Sequence, residues 1–255
     1  MFFFPISDVN ATKKKPVISW IILISCILIF INQKISGYHF EQKTILSFGM
    51  IPSVLFNIKQ LSDNLAIIPA YMTLISSMFL HGGWMHLIGN MTYLYIFGDN
   101  IEDELGKFKF IIFYISCGIF AGLCQALIDI NSEIPMIGAS GAISGILGAY
   151  LILFPKKDIK VFFWFFIFIK IFRIPAMYVI GGWIFIQFFS LNSSEESNIA
   201  YLAHIGGFIA GVILIIIFRK KTSKQSKRLT KVRYQIVIKL CYNFIFSTKL
   251  FDDFC

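Results

Sequence analysis

The chain has 255 residues, of which 57% are apolar and 15% charged, with a mean hydropathy of +0.74. A soluble domain of that composition lacks the polar residues to cover its own surface, so an ordinary water-soluble globule is excluded. Of the formal net charge of +9, residues 219–255 hold ten Lys and Arg against two Asp, a net +8, which leaves only +1 for the rest.

At the N-terminus, Lys13, Lys14 and Lys15 precede an apolar run, Val17–Asn32. A signal peptide starts in the same way, but no small-residue cleavage site follows and many apolar spans do, which favours a retained helix. The hydropathy pattern predicts six helices, over 17–34, 83–102, 107–129, 140–155, 174–191 and 200–218. The expected architecture is all-α: a polytopic membrane domain over 17–218, an N-terminal segment 1–16 and a basic tail 219–255. The connection Ile35–Gly82 is half apolar but broken by Gly49, Pro52 and Pro69, as in a loop lying on or dipping into the membrane interface. Val161–Phe172 is strongly apolar but only twelve residues long, which predicts an interfacial segment or the lower part of the fifth helix. Within the tail, residues 235–246 suit an interfacial amphipathic helix or a disordered stretch. A basic tail just after a membrane helix suits an anchor on anionic lipid better than a nucleic-acid partner.

Positive residues choose the inside. Lys13–Lys15, Lys156 and Lys157, and Arg219–Lys221 fall on one side of a six-span arrangement, which puts both termini inside. The acidic loop Asp99–Lys109 lies on that side too, but acidic residues weigh little in this rule. The five cysteines are odd in number and form no CxxC, so neither a disulfide framework nor a zinc site is indicated. Buried small hydrophobes are the simpler reading.

Two apolar spans open on polar residues: Gly138-Ala139-Ser140-Gly141 and Ala203-His204-Ile205-Gly206-Gly207. Polar and ionisable groups inside a bilayer are costly and need a reason to be there. Serine with histidine is the minimal pair of nucleophile and base. Ser140 lies 16 residues before Lys156, and His204 15 before Arg219. At about 1.5 Å per residue, both stand about 22–24 Å above the inner boundary, at one depth. Gly141 and Gly145 on one helix, and Gly207 and Gly211 on the other, have the GxxxG spacing that lets helix backbones touch. That spacing alone would mean packing without chemistry; Ser140 and His204 at the mouths of the two faces add the chemistry.

A third polar group sits at the start of the second predicted helix. His86 and Asn90 are i and i+4, so they share one face. Both can donate hydrogen bonds, and with the Ser140 amide they would form an oxyanion hole for acyl transfer. Two plainer readings stay open for these residues: structural hydrogen bonding within a bundle, and metal binding by three of the four histidines His39, His81, His86 and His204. The latter lacks HExxH or a neighbouring carboxylate. The soluble-hydrolase elbow G-x-S-x-G is not matched, because residue 142 is Ala.

Together these stretches resemble the rhomboid family of intramembrane serine proteases, in its bacterial form. The resemblance runs from about Ile68 to Leu214. It rests on His81-Gly82-Gly83-Trp84-Met85-His86-Leu87-Ile88-Gly89-Asn90, Phe97-Gly98-Asp99-Asn100-Ile101-Glu102-Asp103, Gly138-Ala139-Ser140-Gly141, and Ala203-His204-Ile205-Gly206-Gly207 with Gly211. It implies a six-transmembrane-helix bundle, a dyad of Ser140 as nucleophile and His204 as base, and no cofactor or metal. It also implies oxyanion donors at His86 and Asn90 and a structural role for Glu102. The implied partners are transmembrane protein substrates within a lipid bilayer, with no nucleic acid; the implied location is a bacterial cytoplasmic membrane. Two features depart from the family pattern. The residue four after the nucleophile is Ser144 where some members carry an aromatic ring, and the Trp-Arg pair common in the first loop is not evident. The rival expectation is a non-catalytic rhomboid-like protein that binds membrane clients. A transporter fits less well, since no inverted repeat is evident.

Overall fold

A computed structural model describes residues 2–191 and 201–219. The tail segment 235–246 and most of the loop 191–198 after the fifth predicted helix lie outside the described residues. Residues 1–217 form one compact unit and residues 218–255 a second, of which only Phe218 and Arg219 are described.

The chain is mostly helical. Its principal helices are α1 (Val17–Ile35), α2 (Tyr38–Phe48), α3 (Trp84–Leu105), α4 (Lys107–Ala126), α5 (Ser140–Leu153), α6 (Ala176–Leu191) and α7 (Tyr201–Phe218). Three of them, α1, α4 and α7, are long and apolar enough to cross a membrane. Helix α3 is long enough but ends in Asp99, Glu102, Asp103 and Glu104. Helices α5 and α6 are apolar but have 14 and 16 residues, about 21 and 24 Å at 1.5 Å each.

Glycine sets one of the boundaries. Gly106, at φ +76°, occupies a conformation that L side chains rarely adopt, and it separates α3 from α4 without a loop. Its N–H donates to the carbonyl of Glu102 at 2.7 Å. Helix α5 is the buried axis of the molecule: every residue from Gly141 to Tyr150 is buried. A helix apolar all round and poor in bulk is suited to that place, because its neighbours can close on it from every side.

The mostly helical architecture carries one small sheet that the all-α expectation did not include. Val161–Phe172 is not part of the fifth helix; it lies in a β-hairpin. Strands β2 (Asp158–Phe165) and β3 (Phe168–Pro175) pair antiparallel, with Phe165 opposite Phe168. The N-terminal strand β1 (Phe2–Asp8) adds to the other edge of β2, giving the order β1-β2-β3. The cause is composition. Val, Ile, Phe and Trp crowd this stretch, and such residues favour the extended chain, while a short continuous apolar run carries no periodicity that separates strand from helix. The first loop also differs in detail: it holds α2 and short helical turns at Pro52–Leu55 and Thr73–Ser76.

One polar cluster ties the N-terminal segment to the end of α3. Glu102 is buried, and its carboxylate accepts from the N–H groups of Ile18 and Ser19 at 2.9 and 2.8 Å and from Ser19 Oγ at 2.9 Å. These are the orphan donors at the start of α1, which no side chain of that helix caps. Next to it, Asp8 Oδ2 accepts from Tyr150 Oη at 2.7 Å and from Asn100 Nδ2 at 3.0 Å. Asn10 Nδ2 donates to Asn100 Oδ1, and the Lys13 N–H to Asp103 at 2.8 Å.

Candidate active site

Ser140 is the first residue of α5, and His204 lies in the first turn of α7. What brings them together is the meeting of the two glycine faces. A Cβ on Gly207 would stand 2.0 Å from the carbonyl oxygen of Gly141, and one on Gly211 2.0 Å from that of Gly145. The backbones are in contact, so only glycine fits at these crossings. With the helices that close, Ser140 Oγ and His204 Nε2 are 2.9 Å apart, within hydrogen-bonding distance.

On its far side the imidazole meets α6. His204 Nδ1 is 2.7 Å from Oε1 of Gln187, and the indole of Trp183 lies tilted at 41° with ring centroids 5.7 Å apart. Neither residue was singled out from the sequence. Their spacing, i and i+4 on one helical face, was the available signal, but a Trp and a Gln in an apolar helix do not by themselves name a partner. The aromatic neighbour of the histidine thus comes from α6, while Ser144 Oγ donates to the Ser140 carbonyl at 2.7 Å.

The other pair, His86 and Asn90, stands on the first two turns of α3. Gly138, two residues before Ser140, runs against them at φ +120°. A Cβ there would meet His86 Nε2 at 2.6 Å and Asn90 Nδ2 at 3.5 Å. The donors therefore abut the loop that carries the serine. Asn90 Nδ2 also lies 3.0 Å from Nε2 of the fully buried His81, whose ring packs edge-on against His86 with centroids 5.1 Å apart. A primary amide has two N–H groups, so one can be held by His81 while the other stays free to donate. His81 is thus a support for Asn90 that sequence reading noted only as one histidine among four.

The arrangement is a hydroxyl on a base, beside two side-chain donors, at the mouth of helices built to touch. That combination can support nucleophilic acyl transfer. The rhomboid domain matches residues 69–221, more than half of the chain, and the chain belongs to the rhomboid family. It is 28% identical to "Rhomboid protease AarA" of Providencia stuartii over 193 residues, covering 68% of this chain and 66% of that protein. It is 28% identical to "Putative rhomboid protease YdcA" of Bacillus subtilis over 154 residues, 60% of this chain and 69% of the relative. With "Rhomboid protein 1, mitochondrial" of Saccharomyces cerevisiae the identity is 29% over 165 residues, 61% of this chain and 44% of the yeast protein. Several relatives are longer, and the chain spans between a quarter and about half of their length. Family and apolar helices together make this an integral membrane protein.

Proposed function

We propose that this chain is an intramembrane serine endopeptidase that cleaves transmembrane segments of membrane-protein substrates with a Ser140–His204 dyad. The observation that carries the reading is the 2.9 Å approach of Ser140 Oγ to His204 Nε2. In the proposed reaction, His204 Nε2 takes the hydroxyl proton as Ser140 Oγ adds to the scissile carbonyl. The resulting oxyanion lies against His86, Asn90 and the Ser140 amide. The C–N bond breaks as His204 returns the proton to the leaving amine. Water, activated by the same base, then releases the acyl group from Ser140. In this reading α1, α3, α4, α5, α6 and α7 all span, with both termini on the inner side of a bacterial cytoplasmic membrane. The sequence positions of Lys13–Lys15, Lys156 and Lys157, and Arg219–Lys221, which a six-span arrangement puts on one side, support that orientation. A helical substrate hides its peptide bonds, so residues that break helices near its outer end are preferred.

The test is cleavage of a fluorescent single-span substrate by the purified protein in proteoliposomes, beside Ser140→Ala and His204→Ala. Loss of about 10⁴-fold or more in either variant is expected. A cleavage rate unchanged in Ser140→Ala would sink the assignment. A wild type inactive on a panel of substrates, yet retaining them on a pull-down, would favour the client-binding alternative.

A further inference from the structure

Gln187 is 7% exposed in a helix that is otherwise almost wholly apolar. An amide buried there without partners would be costly, so its partners are informative. Its Nε2 lies 3.4 Å from the carbonyl oxygen of Trp183, one turn back, and its Oε1 2.7 Å from His204 Nδ1. A backbone carbonyl only accepts, so the amide end facing Trp183 must be the NH₂ group. That fixes which way the side chain points, a choice that a hydrogen-bond network settles. Oε1 also only accepts, so His204 Nδ1 must carry the ring proton. Nε2 is then the lone-pair atom, and Nε2 is the atom facing Ser140 Oγ.

Resting on the reading of Ser140 and His204 as the reacting pair, we infer that Gln187 is a positioning residue. It holds His204 in the Nδ1–H tautomer and ring direction in which Nε2 can accept the serine proton. Trp183, on the same face of α6, restricts rotation of the imidazole. The chemistry explains why an amide serves here. A carboxylate would orient the ring equally well but would put an ion in an apolar surrounding, at a cost that an amide avoids.

The experiment uses the full chain in proteoliposomes, with ¹⁵N-labelled histidine and His204→Ala to assign the His204 resonances. In the wild type His204 is expected to be protonated at Nδ1 when neutral. Gln187→Leu should give a mixture of tautomers and lower kcat about 10- to 100-fold at unchanged KM. Gln187→Glu keeps an acceptor at the same place. It should restore most of kcat at high pH while moving the acid limb of the kcat profile upward by about one pH unit, because its charge favours the imidazolium. A wild-type His204 protonated at Nε2 overturns the inference whatever the activity. So does Gln187→Leu with unchanged kcat and tautomer. A wild type with the expected tautomer, lost in Gln187→Leu, but no hydrolysis distinguishable from Ser140→Ala, keeps the Gln187–His204 assignment and overturns the peptidase reading.

Discussion

Gly138 stands in a backbone conformation open to glycine and little else, and its Cα faces His86 Nε2. Any side chain there must strain the backbone and push the imidazole aside, since the approach would be 2.6 Å. Gly138→Ala is therefore expected to lower kcat by about 10²-fold, the cost of losing one oxyanion donor, with a smaller change in KM. Kinetics on the single-span substrate check this; a wild-type kcat would remove His86 from the site. At this scale the sequence was informative where chemistry is rare. A serine and a histidine opening apolar spans stand out against their surroundings, and so do His86 and Asn90 at helical spacing. Gln187, Trp183 and His81 were not legible as site residues, because their roles depend on how α6 and the start of α3 are rotated toward the site. Periodicity in an almost uniformly apolar helix does not encode that rotation.

Between helices, the crossing of α5 and α7 has no slack. The carbonyl of Gly145 occupies the space that a Cβ of Gly211 would need, and a backbone carbonyl cannot turn away as a flexible side chain can. Gly211→Ala should destabilise the protein by about 1–3 kcal/mol and lower activity in parallel, because the crossing sets the distance between Ser140 and His204. Gly182→Ala in α6, where a Cβ meets nothing within 4 Å, is the matched control and should leave both unchanged. Thermal melts in detergent, paired with cleavage rates, separate the two variants. The predicted helices were legible as apolar runs, five of them ended by a charge or Pro and 174–191 by Asn192 and the serines after it. The hairpin of β2 and β3 was not, since nine apolar residues in a row, Val161–Ile169, suit a strand and a short helix equally. Its pairing with β1 depends on residues more than 150 positions away.

Across the whole molecule, the cluster around Asp8 joins β1, α3 and α5. Burial raises the Asp8 carboxyl above its ordinary value, against the opposing effect of its hydrogen bond from Tyr150. The sign follows from linkage. A carboxyl with a raised folded value favours the folded state below its unfolded value, about 3.9, and that contribution is lost as pH rises through the folded value. Asp8→Asn keeps an acceptor for Tyr150 and Asn100 without the charge. It should therefore melt at or above the wild-type temperature at pH 7, and the difference should shrink toward pH 4. Asp8→Ala leaves both donors without that acceptor and should melt lower at either pH. Melting curves at the two pH values decide between these outcomes.

The pairing of β1 with β2 also bears on the order of assembly during synthesis. Phe4 lies opposite Phe162, so the first strand leaves the ribosome roughly 160 residues ahead of its partner. At about 5–20 residues per second, it waits on the order of ten to thirty seconds while α1 to α5 are synthesised. Throughout that interval the apolar segment Phe2–Asp8 has no β2 to pair with, and unpaired backbone of that kind is open to pairing with the wrong chain. The N-terminal strand is thus made before the helices and placed only after most of them.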